Sequence, residues 1–492
     1  MPSFYTSFGS AATAWCFVWF PALFYLLYTR YPSASHAGVS SEHVQLWQAS
    51  ECAALSAVLY ADRYACADSG GSRTERYLAL QQALQLLWHA DERTYQESLE
   101  SNVPPVLLLD STWRTDANGV SALLLAQVSD DGRLWQWHTG GGPIPIGRTL
   151  VMDQAGCRSA ACDRSNGPLR GVGGLSTAPT TTPSSSNTDN DATLLVVAEW
   201  GERRIVRVEE NGARTPLVIQ VPSVEACQSS TSTTNRLHAP RHVTVTPQHD
   251  LFFVDSVAVG NVPSHHNDAA AAPPQDCFVV WHQARVDQIP ALPTLADSRR
   301  AHTWTALPYH QPLLVPVYTS PTPIGGLAVV QDAVTLSSSL YVTTAWPAQG
   351  VVVLEISLDD DTTDEMISTT AETDDNDNDT ATTHEAPVSP TTKAPRVLFR
   401  LQRHLPNALE PGPLVVTAQR TIFLGTNEGL AILLPNFDDT DGRLVDYRLA
   451  GLLPLAIMDR PRITSLTLGG DGYLYVTTES RLWRLKIRDD SL

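Results

Sequence analysis

The sequence predicts an all-β fold, a six-bladed β-propeller, with an apolar N-terminal helix and a short helical region before it. Two observations carry the prediction. First, one phrase of apolar residues ending in a small or acidic position occurs six times: LLLAQV (123–128), LLVVAE (194–199), LFFVDS (251–256), LYVTTA (340–345), IFLGTN (422–427) and LYVTTE (474–479). Second, each copy is followed by another short apolar run, as in RLWQWH (133–138), RIVRVE (204–209), FVVWHQ (278–283), VVVLEI (351–356), LAILLP (430–435) and RLWRLKI (481–487). Several copies are also preceded by one, such as HVTVTP (242–247), GLAVV (326–330), PLVVTA (413–418) and SLTLGG (465–470). A unit of three or four short antiparallel strands cannot bury both faces alone. Stacked radially in six copies, it closes into a ring, here expected over residues 103–487.

Upstream of the ring, residues 1–36 read as a signal anchor or a signal peptide. Ala11 to Tyr28 is an 18-residue run without charge, and Trp15, Trp19, Tyr25 and Tyr28 suit the two membrane interfaces. The small residues around Ala37 fit a cleavage site, while the lack of a basic region before the apolar run favours a retained anchor. Either way the chain is expected in the secretory pathway, as a single-pass membrane protein held through residues 11–28 or as a secreted one. Residues 40–100 then read as a helical hairpin. Ser72 and Glu75 have capping-box spacing, and Tyr77, Leu80, Leu84, Leu87 and Trp88 recur at helical intervals. A second stripe, Val44, Trp47, Ala54, Leu55 and Val58, supplies the other helix.

Six cysteines lie beyond Cys16, an even number that suits disulfides in such a compartment. Proximity suggests Cys157 with Cys162 and Cys227 with Cys277. No second Cys/His pair stands near Cys157 and Cys162 at zinc-ligand spacing.

Two stretches lack apolar periodicity and are expected as disordered insertions, one near 177–192 and one near 359–395. The second holds the sequon Asn378-Asp379-Thr380 and eleven acidic residues between Asp359 and Glu385, with no Lys or Arg. It therefore supplies −11 of the formal net charge of −19, and the rest of the chain is only mildly acidic. Without a basic face, a nucleic-acid partner is not expected. The acidic tract also lacks the glycine-centred twelve-residue spacing of a calcium loop.

The phrases TLLVVAEWGERRIVRVEENGARTPLV (193–218), NRLHAPRHVTVTPQHDLFFVDS (235–256) and SLTLGGDGYLYVTTESRLWRLKI (465–487) resemble the gluconolactonase and senescence-marker-protein family. A strictosidine-synthase-like propeller, also a six-bladed ring behind an N-terminal span, is the rival resemblance. The first implies a lactone opened by water, with a divalent cation held by oxygen ligands at the channel mouth. This chain departs from that pattern. The family's E-G-P-V falls on Val103-Pro104-Pro105-Val106, its P-N-G-L on Ile324-Gly325-Gly326-Leu327 and its P-D-G-I on Pro411-Gly412-Pro413-Leu414. Its P-N-D becomes Pro240-Arg241-His242, and its upstream arginine is matched by Arg236.

Ligand oxygens are thus missing at Val103, Gly325 and Gly412, and a guanidinium stands beside the place of another. The expectation is a ring that binds or scaffolds, with no cofactor unless a Ca, Zn or Mg site is rebuilt from other residues. Arg236, Arg241 and His242 are the expected contacts for a small anionic molecule or a protein at the mouth. Two alternatives stay open. Arg241 pairs with Asp255 or Glu199 as a purely structural group, or the chain is a metal-free lactone or ester hydrolase with His242 as general base near its ordinary pKa of about 6.5.

Overall fold

The computed structural model describes residues 58–59 and 84–89 and, between 108 and 488, the strands with many of the turns that join them. Among the described residues, twenty-four strands form six sheets of four. Blade one is β2 (Leu108–Thr115), β3 (Ser121–Gln127), β4 (Arg133–His138) and β5 (Gly147–Asp153). Blade two is β6 (Val172–Pro179), β7 (Thr193–Glu199), β8 (Arg204–Val208) and β9 (Arg214–Val218). Blade three is β10 (Arg241–Val245), β11 (Leu251–Val257), β12 (Cys277–Gln283) and β13 (Leu314–Ser320). Blade four is β14 (Ile324–Gln331), β15 (Ser338–Trp346), β16 (Gly350–Ser357) and β17 (Arg396–Arg400). Blade five is β18 (Leu414–Val416), β19 (Ile422–Thr426), β20 (Gly429–Phe437) and β21 (Leu444–Leu453). Blade six combines β22 (Ile463–Leu468), β23 (Tyr473–Thr478) and β24 (Arg481–Lys486) with β1 (Leu84–His89) on its outside. The fold class is as the repeats predict, and the six recurring phrases are the second strands of the six blades.

The second strands read as continuous apolar runs because both of their faces are buried. In β7, Leu195 and Val197 face blade one while Val196 and Ala198 face blade three. In β11, Leu251 and Phe253 pack towards blade two, and Phe252 and Val254 towards blade four. Apolar clusters fill the spaces between neighbouring blades all the way round. The last joins blade six to blade one through Tyr475 and Leu482 on one side and Leu123, Leu125 and Trp137 on the other.

Blade six closes the ring from both ends of the chain. Leu84 pairs with Leu485, Leu86 with Trp483 and His89 with Arg481, all antiparallel, and Gln85 accepts a hydrogen bond from Arg484 Nε at 2.9 Å. Residues 84–89 are therefore strand, which corrects the helical stripe through Leu84, Leu87 and Trp88. Their spacing suits a helix, but the open edge of β24 offers five of the six residues a backbone partner, with a bulge at Leu87. Leu59 pairs with Ile487 and is fully buried (0% exposed), in a cluster with Phe423, Ile432, Trp483 and Leu485. The ring thus starts before residue 103.

The expected insertion near 177–192 is also shortened from its start, because Thr177, Ala178 and Pro179 pair with Leu195, Leu194 and Thr193 at the end of β6. The apolar segment 1–36, the capping box at Ser72, Val103 and the acidic tract 359–394 lie outside the described residues. Among the described residues no helix is long and apolar enough to cross a membrane.

Cys157 and Cys162 form a disulfide, as their proximity suggests. Cys277 is also disulfide-bonded, to a partner outside the described residues.

If Leu59 belongs to the core of the closing blade, Leu59→Ala will lower unfolding stability by about 2–5 kcal/mol, as for other leucines deleted from packed cores. Chemical denaturation measures it. A loss within the ordinary surface range of roughly 0.5 kcal/mol would show that this contact is peripheral.

Candidate functional site

The six innermost strands, β2, β6, β10, β14, β18 and β22, line a channel on the ring axis with a cavity of about 320 Å³. Five of them carry a register irregularity where they begin: between Leu108 and Asp110, Val172 and Gly174, Arg241 and Thr244, Ile324 and Gly326, and Ile463 and Ser465. A bulge adds a residue to one strand and re-aims the side chains beside it. The repeat of this device at the same end of each strand defines a mouth, formed by Asp110, His242, Gly326, Pro413, Thr464 and Ser465.

His242 lines this mouth, and Arg241 precedes it on β10 without lining the cavity. His242 occupies the bulge of β10 with φ at 51°, a conformation uncommon in residues other than glycine, and it lines the cavity. Burial, then the charges of Arg241 and Arg462, push its pKa down to about 3, and its ring bonds the backbone of Ile324. The imidazole is therefore neutral at pH 7. The expectation of a base near 6.5 is corrected, because burial and two guanidinium neighbours disfavour the imidazolium.

Arg241 lies half-buried with its guanidinium carbon 5.6 Å from the centre of the Trp200 ring. Burial and Arg462 push its pKa below the usual value, against the pull of Asp255. Its Nε is buried and has no hydrogen-bond partner among the described residues. Neither carboxylate offered as a structural partner forms an ion pair with it. Glu199 is fully buried and bonded to Arg204 Nε at 2.5 Å and Arg214 Nη1 at 2.6 Å. Asp255 accepts from the backbone N–H of His238 at 3.1 Å and of Ala239 at 2.8 Å, so it fixes the chain leading to Arg241. Arg462, exposed, pairs with Glu410 at 3.5 Å. Arg236 is exposed, and its backbone bridges Gln220.

Blade two supports the mouth from behind. Trp200 donates from its indole nitrogen to Pro240 O at 2.6 Å, directly before Arg241. A Cβ on Gly173 would sit 1.8 Å from that nitrogen, so only glycine leaves room for the contact. The turn after Trp200 rests on the disulfide, since a Cβ on Gly201 would lie 2.7 Å from Cys162 Sγ. Arg214 continues the support by donating to Gln154 O at 3.0 Å, in the loop before Cys157.

One carboxylate at the mouth was not anticipated. β2 starts at Leu108, five residues after Val103, and the acid it brings to the channel is Asp110. Val103 itself lies outside the described residues. Asp110 accepts from Leu175 N at 2.7 Å, Ser465 Oγ at 2.7 Å and Ser111 N at 2.8 Å, tying blades two, six and one together. Burial nevertheless pushes its pKa up to about 6. Below it, Ser111 Oγ lies 2.8 Å from Thr467 Oγ1 and 3.1 Å from Ser465 Oγ, a buried hydroxyl network that satisfies itself. Gly325 and Gly412 offer no side chain and no space for one, since a Cβ at either would approach backbone oxygens to 2.3 and 2.1 Å respectively. Among the described residues, no three or more His, Cys, Asp or Glu side chains gather as a metal-binding group.

No protein-family profile matches the sequence, and no curated protein matches it. Solved structures similar in fold include a gluconolactonase from Xanthomonas campestris, at 14% identity and TM-score 0.42, with 82% of this chain and 89% of that one covered. A soluble aldose sugar dehydrogenase from Escherichia coli has 12% identity and TM-score 0.40, over 82% and 99% of the two chains. Regucalcin from Agrobacterium tumefaciens, a calcium-binding protein, has 11% identity and TM-score 0.37, over 77% and 91%. The six-bladed ring itself stands on the sheet order and register described above.

The shifted groups set the response to acid, with opposite signs. His242 takes up a proton near pH 6.5 when unfolded but near 3 when folded, so it removes stability as pH falls through that window. Asp110 and Asp255, both raised to about 6, bind protons earlier in the folded state and add stability as pH falls from about 6 to 4. His242→Asn keeps a residue that tolerates positive φ and deletes only the first effect. Its urea midpoint is expected to fall less than that of the unmutated protein between about pH 7.5 and about pH 5. Equal falls would show that His242 is not held neutral.

Proposed function

We propose that this protein is a binding propeller of gluconolactonase-like architecture that takes a small anionic ligand at the channel mouth. The observation that carries the proposal is the Arg241 guanidinium. It is half-buried, its Nε is unpartnered among the described residues, and Arg462 rather than a bonded carboxylate is its strongest electrostatic neighbour. A half-buried guanidinium with a buried, unpartnered Nε favours a carboxylate or phosphate that accepts from it. Trp200 and Pro240 hold the backbone beside it, so the site is formed in advance. His242, neutral at pH 7, lines the wall next to it. The segment at residues 11–28 would keep such a receptor ring at a membrane surface.

A hard divalent cation fits these residues poorly. It asks for six or more oxygens, whereas Asp110 already accepts three hydrogen bonds, Gly325 and Gly412 contribute no side chain, and two arginines stand near. Hydrolysis with His242 as base is also disfavoured, because a group with a pKa of about 3 takes up protons weakly at neutral pH.

Titration calorimetry with inorganic phosphate and with acetate tests the proposal. Arg241→Ala is expected to weaken binding by about tenfold or more, the loss of a hydrogen bond to a charged group. Unchanged affinity in Arg241→Ala, or no binding of either anion to the unmutated protein, would sink it. So would lactone hydrolysis that a chelator abolishes.

A further inference from the structure

Resting on the anion site proposed above, we infer that the Cys157–Cys162 disulfide positions Arg241, so that anion binding depends on the oxidation state of these two cysteines. A series of buried contacts joins the disulfide to Arg241 through one turn. Residues 200–203 make that turn between β7 and β8, and the Arg203 N–H closes it by donating to Trp200 O at 3.1 Å. The segment around Cys157 grips the turn from both sides. Gly156 O accepts from the Glu202 N–H at 3.2 Å, and the Arg158 N–H donates to Glu202 Oε1 at 3.0 Å. Between these two bonds Gly201 lies against the sulfurs, since an added Cβ would stand 2.7 Å from Cys162 Sγ and 2.8 Å from Cys157 Sγ. Cys157, Cys162, Trp200 and Glu202 are all buried.

The same turn delivers Trp200 to Arg241. Its indole N–H donates to Pro240 O at 2.6 Å, and the guanidinium carbon lies 5.6 Å from the ring centre. Gly171 O accepts from the Trp200 N–H at 3.1 Å, and Gly173 leaves the indole its space, so the backbone of the turn sets where the ring lies. Two thiols cannot approach as closely as two bonded sulfurs. With Gly201 packed on them, cleavage of the bond displaces the turn, and the indole carries the displacement to Pro240 and Arg241.

The cleavage is a thiol–disulfide exchange. A dithiol reductant gives the bond two electrons and two protons, which leaves Cys157 and Cys162 as thiols and the reductant as a disulfide. Arg241 then has to be ordered by the anion at the moment of binding, and affinity falls. Because both half-cystines are buried, the exchange is slow and is followed to completion by counting thiols.

The experiment measures phosphate and acetate affinity by titration calorimetry in the full chain: oxidised, reduced with dithiothreitol, and as the double variant Cys157→Ser/Cys162→Ser. Thermal unfolding is recorded for each. The double variant is expected to bind about threefold to tenfold more weakly, the effect of having to order one long side chain on binding. Reduction is expected to weaken the unmutated protein equally and to leave the double variant unchanged, which separates this bond from that of Cys277. Trp200→Phe keeps a ring and removes the N–H. Its loss of affinity is expected not to add to that of the double variant, because both act through one contact.

Binding that needs Arg241 but is equal, within about twofold, in the folded double variant would overturn this inference and leave the anion site standing. Losses that add when Trp200→Phe is combined with the double variant would route the effect elsewhere and likewise overturn it. Absence of binding of either anion by the unmutated oxidised protein would remove both readings. Unfolding of the double variant and of the reduced protein alike would also overturn it, since the bond would then hold the ring and not the site. If Trp200→Phe does not fold, the double variant and the reduced protein decide the matter.

Discussion

Interlocking of apolar side chains between neighbouring blades is the constraint on which the rest of this molecule depends. Each second strand is buried on both faces, so every blade presents one apolar surface forward and another behind. Such a blade has no stable existence alone, and six of them are stable only when the last meets the first. The channel follows from this closure. Its innermost strands are held in place by packing several ångströms behind them, which frees their leading ends to bulge and carry arginine, histidine and carboxylate side chains. Closure also explains why Asp110 tolerates its burial. It accepts from three blades at once, and the hydrogen bonds join the seam across which blades one, two and six meet.

The ring was legible in the sequence because double burial writes itself as unbroken apolar runs such as LLVVA and LFFV, whose order survives large insertions. The closing strand was not. Leu84, Leu87 and Trp88 have helical spacing, and what makes them strand is a partner about four hundred residues away, which no local periodicity can report. Arg241 and His242 were chosen from a motif position, and the structure brings His242 to the cavity wall and Arg241 against the Trp200 ring. Asp110 was missed because it follows three leucines and resembles the start of an ordinary strand. Only the repeated bulge aligns it with the other mouth residues.

The electrostatics of the mouth distribute labour between blades two and three. Glu199 and Glu202, with Arg204 and Arg214, form a buried cluster whose formal charges cancel. Breaking such a cluster would leave a bare charge in the interior, so its members are not available to a ligand. Arg241 lies just outside that cluster, near enough to be held by Trp200 and Pro240 yet with donors left over. Its neighbour His242 is neutral, so the positive charge at pH 7 comes from arginines alone and does not vary around neutrality.

Because blade six is woven from β1 and from the three strands nearest the other end of the chain, biosynthesis imposes a long wait. β1 is made before the other described strands, whereas β24, its sheet partner among the described residues, follows about four hundred residues later. Throughout that interval an apolar strand stands with both edges unpaired, and so does the growing face of each completed blade. This topology therefore leaves the nascent chain exposed to mispairing for longer than a ring closed by neighbouring strands would.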